Sequence, residues 1–313
     1  MNYIHFIGID VSKEWFDVAL HGAKPAKPER FPNSGEGFAG FAGRLAAELP
    51  DALVVMEATG GYETALLGFL LALRVSVHRA DPRAASYFIR SLGKRAKTDQ
   101  IDALALARYA HERQQSLILA RIPDPAQAML SLLLSRRTDL IAMRVAEQTR
   151  LQHPRYAPLK GMLEDSLDFL KGQLAEVEQQ IEALIELSPA MTAKYGVMTS
   201  FKGVGKNTAF TLLACMPELG TLTRRQAASL AGVAPHPKDS GKTQGYRATR
   251  GGRYSVKRAL FMAAMAARRF NPNLREFYER LIQNGKKPIV AIVAIMRKLI
   301  VILNAKLRDH AYA

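Results

Sequence analysis

The chain has 313 residues, 48% of them hydrophobic, and a formal net charge of +16. That length holds two domains and a linker with real cores, and so large a cation excess fits a polyanionic partner better than it fits a merely basic soluble protein. The single cysteine, Cys215, excludes an intrachain disulfide and a cysteine-based zinc site, and the seven histidines show no paired-ligand spacing.

The N-terminus begins directly on a strand with no signal-peptide pattern, which together with the lone cysteine predicts a reducing, cytoplasmic compartment. Ile4, Phe6, Ile7 and Ile9 form a short buried-strand pattern ending at Asp10. After a turn at Ser12 and Lys13, the residues Trp15, Phe16, Val18 and Leu20 read as its hairpin partner. Residues 21–37 are rich in Pro and Gly and read as a loop or turn; residues 38–49 read as a helix. Leu53, Val54, Val55 and Met56 make another apolar strand, ending at Glu57, and Gly60 and Gly61 open a turn into a helix over 63–73. A short strand over 75–78 leads into a basic segment with Arg83, Arg90, Lys94, Arg95 and Lys97. Such a run is either a solvated face or a contact to a phosphate backbone. The order to about residue 120 is thus β-β-(β)-α-β-α, an α/β domain.

The organising stretch is 97–109, KTDQIDALALARY. Asp99 and Asp102 stand three residues apart at the start of an apolar-periodic run and share a helix face. Alone, two acids in a first turn simply suit the helix dipole. Two strands that each deliver a carboxylate, Asp10 and Glu57, change that reading, because sites in open α/β sheets lie beyond strand ends. Four carboxylates converging there are best neutralised by hard divalent cations with oxygen ligands, and two-metal phosphoryl transfer needs such a cluster.

Residues 125–187 contain two long helical segments around a break at His153–Pro154 and Pro158. The second carries Leu163, Leu167, Leu170, Leu174, Val177, Ile181 and Leu184, a heptad seam. A helical hairpin is expected, serving as an intrachain spacer or, on the preferred reading, as a dimerisation arm. In the third region, SFKGVGKNTAF (200–210) has the pattern of a helix-hairpin-helix, whose Gly203-Val204-Gly205 turn either aims N–H groups at a phosphate or is simply a turn. A short helix follows, and then a loop punctuated by Pro, Gly and Ser. Between Ser240 and Arg258 its charged residues are Lys242, Arg247, Arg250, Arg253, Lys257 and Arg258, with no acid. A Ser-Gly pair in a loop is normally a turn, and a serine hydroxyl is not nucleophilic unaided. Helices over 256–269, 274–283 and 288–307 close the chain. The longest apolar run, 289–296, is broken by Arg297 and Lys298 and is too short to span a bilayer, so no membrane is expected.

Taken together, GIDVSK (8–13), MEATGGYE (56–63), KTDQIDALALARY, KGVGKNTA (202–209), LAGVAPHPKDSGK (230–242) and RGGR (250–253) resemble the transposases of the 110 family of insertion sequences, RNA-guided DNA recombinases related to the Piv-type invertases. The resemblance covers nearly the whole chain. It implies a RuvC-like domain with the RNase H fold over 1–122, a helical coiled-coil arm over 123–189 and a mainly α C-terminal transposase domain over 190–313. It puts the family's acidic tetrad on Asp10, Glu57, Asp99 and Asp102, with Mg²⁺ bound there as a two-metal site, and its nucleophilic serine on Ser240. It also implies dimers and tetramers, donor and target DNA, and a structured noncoding bridge RNA that guides the enzyme to both. The basic residues expected to meet nucleic acid are Lys94, Arg95, Lys97, Lys202, Lys206, Lys242, Arg247, Arg250 and Arg253. Three rival readings are a hydrolytic Holliday-junction nuclease using the acids alone, a sugar-kinase-like ATPase suggested by GIDVS, and a non-catalytic nucleic-acid-binding scaffold. Neither the +16 charge nor the paired aspartates follow from the ATPase reading.

Overall fold

The apolar strands and the amphipathic segments assemble into two compact units, Met1–Pro123 and Asp124–Ala313. The computed structural model describes residues 2–23, 27–92, 99–122, 124–236 and 248–311, with the side chains of 99–101 and 311 outside that set.

The first unit is an α/β domain with a five-stranded mixed sheet. Its strands are β1 (His5–Val11), β2 (Trp15–Leu20), β3 (Glu29–Pro32), β4 (Ala52–Glu57) and β5 (Ser76–Ala80), in the order β3-β2-β1-β4-β5. β1, β2 and β3 pair antiparallel, while β4 runs parallel to both β1 and β5. Both faces of β1 and β4 are covered, so their sequences read as nearly continuous apolar runs. One face, with Ile7, Ile9, Val54 and Met56, packs on helices α1 (Gly35–Arg44) and α2 (Thr64–Ala72) through Phe38, Phe41, Leu66 and Leu70. The opposite face, with Phe6, Leu53 and Val55, packs on α3 (Pro82–Ser91) and α4 (Asp99–Arg113) through Ala85, Leu106 and Ala110. Beyond α4 the chain returns along the open edge of β5: Ala120 N donates to Val77 O at 2.7 Å, and Nδ1 of His78 lies 2.8 Å from Ile118 O.

Three local expectations are corrected here. Residues 29–32 form a strand inside the supposed loop, held by a two-pronged bond from Arg30 to Asp17 (2.8 and 2.7 Å) on the neighbouring strand. The helix expected over 38–49 starts earlier, at a Ser34 cap, and ends at Arg44. α3 stands where only a basic segment is expected, although its signal is present: Asp81 accepts from the N–H groups of Arg83 and Ala84, and Pro82 occupies the first turn.

The second unit is helical: α5 (Pro125–Gln152), α6 (Lys160–Glu186), α7 (Pro189–Thr199), α8 (Lys206–Cys215), α9 (Arg224–Leu230), a two-stranded ribbon of β6 (Pro235–His236) and β7 (Ala248–Thr249), then α10 (Tyr254–Phe270), α11 (Pro272–Gln283) and α12 (Pro288–Ala311). The break between α5 and α6 falls at Pro154–Leu159, as the prolines predict. The α6 seam is buried from Leu163 to Ile181 and then steps by four to Ile185, leaving Leu184 half-buried. A 3.6-residue period drifts off a strict heptad in this way. The seam faces inward: Leu170, Leu174, Val177, Ile181 and Ile185 share a core with Leu130, Leu134 and Leu140 of α5. The expectation that this seam joins two subunits is therefore corrected, since α5 of the same chain fills it. The same core continues without a break into Met191, Phe210, Leu260 and Leu299, across the boundary drawn at 189/190.

α12 is apolar and long enough, over Pro288–His310, to cross a membrane by length and composition, contrary to the short run read from the sequence. Its stripe of Ala291, Ile295, Met296, Leu299, Ile300 and Leu303 is nevertheless buried in the protein core, and Arg297 and Lys298 are on its exposed side.

Candidate active site

Alternation along β1 puts Phe6, Gly8 and Asp10 on one face; on β4 it puts Leu53, Val55 and Glu57 on that same face. The two strands are in parallel register with Ile9 beside Met56, so Asp10 and Glu57 follow each other on adjacent strands at their carboxyl ends. α4 lies directly on this face. A Cβ on Gly8 would stand 2.1 Å from Ala103 O and 2.2 Å from Ala107 N, so only glycine lets the helix backbone come so close. The ring of His111, further along α4, meets Phe6 with centroids 4.8 Å apart. α4 therefore runs antiparallel to β1, and its first turn, with Asp99 and Asp102, points past Gly8 toward Asp10. The buried Ala103, Ala107 and Ala110 keep the approach close.

Asp102 is 9% exposed, an unusual setting for a carboxylate without a functional or structural partner. Asp10, Glu57 and Asp102 each have polar or electrostatic partners. Among the described residues no three His, Cys, Asp or Glu side chains stand close enough to hold a metal by themselves. The side chain of Asp99, the fourth acid, lies outside the described residues. Carboxylate oxygens on adjacent strands and on a helix turn, with no thiol or imidazole among them, are the donor type that a hard cation would take.

Two other buried acids in this unit are structural, and the sequence did not single them out. Asp17, 1% exposed and opposite Asp10 in the register, is neutralised by Arg30. Glu63 is fully buried and ties the Gly60–Gly61 turn together, accepting from the N–H groups of Thr59 (3.1 Å) and Gly61 (3.0 Å) and from Arg79 Nε (2.8 Å). Burial pushes its carboxyl up, but hydrogen bonds from its own turn, from Arg79 and from Thr59 outweigh this and hold it below the ordinary glutamate value. The turn that follows β4, at whose carboxyl end Glu57 sits, is thus held by a buried and fully hydrogen-bonded acid.

In the second unit the ends of the serine-bearing segment are fixed by the β6–β7 ribbon, in which Pro235 pairs with Thr249 and His236 with Ala248. Below the ribbon the LAGV and RGGR motifs meet. Gly232 and Gly252, both in the left-handed region (φ +67° and +74°), touch so closely that a Cβ on Gly252 would lie 2.1 Å from Gly232 N. Arg253 N closes the contact by donating to Leu230 O at 2.8 Å. Ser240, Lys242 and Arg247 lie outside the described residues, as do Lys94, Arg95 and Lys97.

The remaining basic residues divide in two. Lys202 and Arg250 are exposed. Lys206 instead sits 3.3 Å from both Glu178 and Glu182 of α6, beside Arg137, which bonds Glu178 and Asn207. Arg253 pairs with Glu218 at 2.6 Å and donates to Cys215 O at 2.8 Å. These two cations brace helices through glutamates of the same chain, in addition to any contact with nucleic acid. The turn before α8 is likewise a packing device at Gly203, where a Cβ would lie 2.5 Å from Ala267 of α10. Burial pushes the Cys215 thiol up, away from a nucleophilic thiolate.

Two family models match the chain: a DEDD-type transposase model of the IS110 group over residues 7–154 and one described as the transposase IS116/IS110/IS902 family over 196–279. The chain belongs to the IS110 family of transposases. As a member of that family it is a DNA transposase or recombinase, and the family's acidic set carries dependence on divalent metal in general. Similar proteins include the pilin gene-inverting proteins of Moraxella bovis and Moraxella lacunata, each 28% identical over 97% of this chain and 96% of its own length. The insertion element IS110 uncharacterized 43.6 kDa protein of Streptomyces coelicolor is 32% identical over 76% of this chain and 55% of its own length. The IS110-family models span both the acidic corner and the glycine contact at the base of the serine segment.

Proposed function

We propose that this transposase moves an insertion sequence by cleaving DNA with Ser240 and exchanging strands through a phosphoserine link, with Mg²⁺ held by Asp10, Glu57, Asp99 and Asp102. The observation that carries this reading is the seating of α4 on Gly8, which brings a first-turn acid pair toward two strand-end carboxylates. The sheet order, an antiparallel β1-β2-β3 meander followed by parallel β4 and β5, supports a RuvC-like, RNase H-type domain.

A hard divalent cation held by Asp10, Glu57, Asp99 and Asp102 would supply positive charge against the negative charge that develops as a phosphodiester is cleaved. The chain's own part is covalent. Ser240 Oγ attacks phosphorus, its proton passes to a base or solvent, and a deoxyribose oxygen leaves with the electrons of the broken P–O bond. A hydroxyl of the incoming strand then attacks the phosphoserine and releases Ser240, so the number of phosphodiester bonds is conserved. Asp239, beside Lys238, is too weak a base to activate the hydroxyl by itself.

The reading extends to donor and target DNA, to a noncoding bridge RNA that selects them, to assembly as dimers and tetramers through surfaces other than the α6 seam, and to a cytoplasmic setting. Inversion of a DNA segment is the second reading, favoured by the end-to-end similarity to the pilin gene-inverting proteins.

The test is a recombination assay with denaturing-gel detection of protein–DNA adducts. Asp102→Asn should abolish cleavage and weaken Mg²⁺ binding by calorimetry while the fold, by circular dichroism, is kept. Ser240→Ala should lose both the adduct and strand exchange. Full recombination by Ser240→Ala would sink the nucleophile and leave the hydrolytic junction nuclease standing.

A further inference from the structure

Away from the acidic corner, the second unit contains a cavity of about 810 Å³ at the foot of the β6–β7 ribbon. Its floor is apolar, made by Val233 before β6 and by Val293 and Val301 of α12. Phe277 of α11 forms one wall, and Pro235 and Thr249 of the ribbon another. Its rim is strongly cationic: Arg224 and Arg225 begin α9 on one side, and Arg297 and Lys298 sit on α12 on the other. All four are exposed, and the lining includes no acidic side chain among the described residues. None of the four forms an ion pair among the described residues; Lys298 rests on the Phe277 ring, 4.4 Å from its centroid.

Four exposed cations around an apolar hollow are an odd feature for a stable core. Like charges repel, and a hollow of this size forgoes packing. The combination suits a ligand with a flat apolar body and an anionic edge. A nucleotide in an unpaired strand has that shape: a base that can leave the stack, flanked by phosphates on both sides. The volume lies within the roughly 300–1,000 Å³ span of small-ligand pockets, so it takes a base with its sugar. Among the described lining residues Thr249 is the one neutral polar side chain, so a 2′-hydroxyl buried against the apolar walls would give up water without a matching partner, which favours deoxyribose over ribose.

We propose that this cavity receives an unpaired DNA base, with the flanking phosphates held by Arg224 and Arg225 on one side and Arg297 and Lys298 on the other. The inference rests on the chain being a DNA recombinase and adds a place for a base exposed when strands part. The cavity adjoins the ribbon from which the serine-bearing segment departs, so an extruded base would fix the strand close to the proposed nucleophile's anchor.

The experiment uses the full-length chain and a short single-stranded DNA carrying one 2-aminopurine, whose emission rises when the base leaves its neighbours. The parent should bind with a clear rise in emission. Val293→Trp fills the floor and keeps every charge; it should still bind but with little or no rise. Ala294→Phe serves as a second filling variant if Val293→Trp unfolds. Arg297→Gln with Lys298→Gln keeps the hollow; affinity should fall about tenfold, and the slope of log affinity on log salt should flatten by roughly 0.7 for each phosphate no longer neutralised. The RNA oligonucleotide of the same sequence should bind more weakly or without the emission rise. An undiminished rise in a folded filling variant, or equal behaviour of RNA, overturns the proposal while leaving the recombinase reading intact. Failure of the parent to bind single-stranded or duplex DNA, with the bridge RNA present as well as without it, would overturn both.

Discussion

In the first unit Asp10 and Glu57 stand on strands that are hydrogen-bonded to neighbours on both sides, and Asp102 stands in the first turn of a helix seated on those strands. In the second unit the segment containing Ser240 leaves and re-enters through strands of two residues each, pinned by one glycine–glycine contact. The acids of the described residues are thus held by regular secondary structure, whereas what is described around Ser240 is its stems, the two-residue strands and the glycine contact beneath them. Carboxylates that must share cations need their spacing held to within a fraction of an ångström, and regular elements hold it best.

This contrast can be broken from either side. The largest effect is expected from Gly8→Val. Its side chain would enter the backbone of α4, lifting the first turn from the strand ends; cleavage should be lost and the first unit destabilised by about 3 kcal/mol or more. Chemical unfolding followed by a probe in that unit checks it, and a fully active variant would show that α4 need not be seated there. Gly252→Val is the counterpart in the second unit. The left-handed φ costs about 1–2 kcal/mol and the clash with Gly232 adds to it. Strand exchange should fail while Mg²⁺ binding by calorimetry stays at the parent level. Equal loss of metal binding would mean that the two units do not fail separately.

Smaller effects test the bracing groups. Arg137→Ala leaves Glu178 facing only Lys206 and frees Asn207, and should lower the stability of the second unit by about 2 kcal/mol. No change in melting temperature would reduce the network to a surface ornament. The smallest effect comes from Glu63→Gln. The Glu63 carboxyl titrates below its unfolded value of about 4.3. Its stabilisation is therefore complete above that pH and is lost as pH falls through the lower folded value. The parent should lose stability more steeply than the variant in urea titrations from pH 5 downward. Parallel curves would remove Glu63 from the acid limb.

Much of this fold could be read from residue patterns. The strand ends at Asp10 and Glu57, the helix that opens with Asp99, the proline break and most of the α6 seam all follow from local periodicity and punctuation. What escaped was set by partners distant in sequence. β3 is four residues long and owes its place to Arg30 finding Asp17 on the next strand, which Pro- and Gly-rich composition conceals. Glu63 looks like an ordinary first-turn acid until Arg79 arrives from β5. Lys206 and Arg253 carry the same charge as any DNA-facing cation, and only the folded chain brings glutamates beside them. Arg224, Arg225, Arg297 and Lys298 come from helices some seventy residues apart, and no spacing rule joins them. α3 is different, because Asp81-Pro82 is a legible start signal in the sequence itself.

The return of residues 117–122 along β5 bears on how this chain can be divided. An exposed parallel edge strand with apolar neighbours is a template for pairing with other chains. Here Ala120 and Ile118 occupy that edge from within, while the opposite edge, β3, is short and carries Glu29, Arg30 and Pro32. A fragment ending at residue 122 should remain monodisperse at high concentration. One ending at residue 116 keeps every strand and helix of the sheet domain, yet exposes β5 and should aggregate. On that expectation residues 117–122, which belong to no regular element, decide whether the sheet domain can be cut out as a separate, monodisperse molecule.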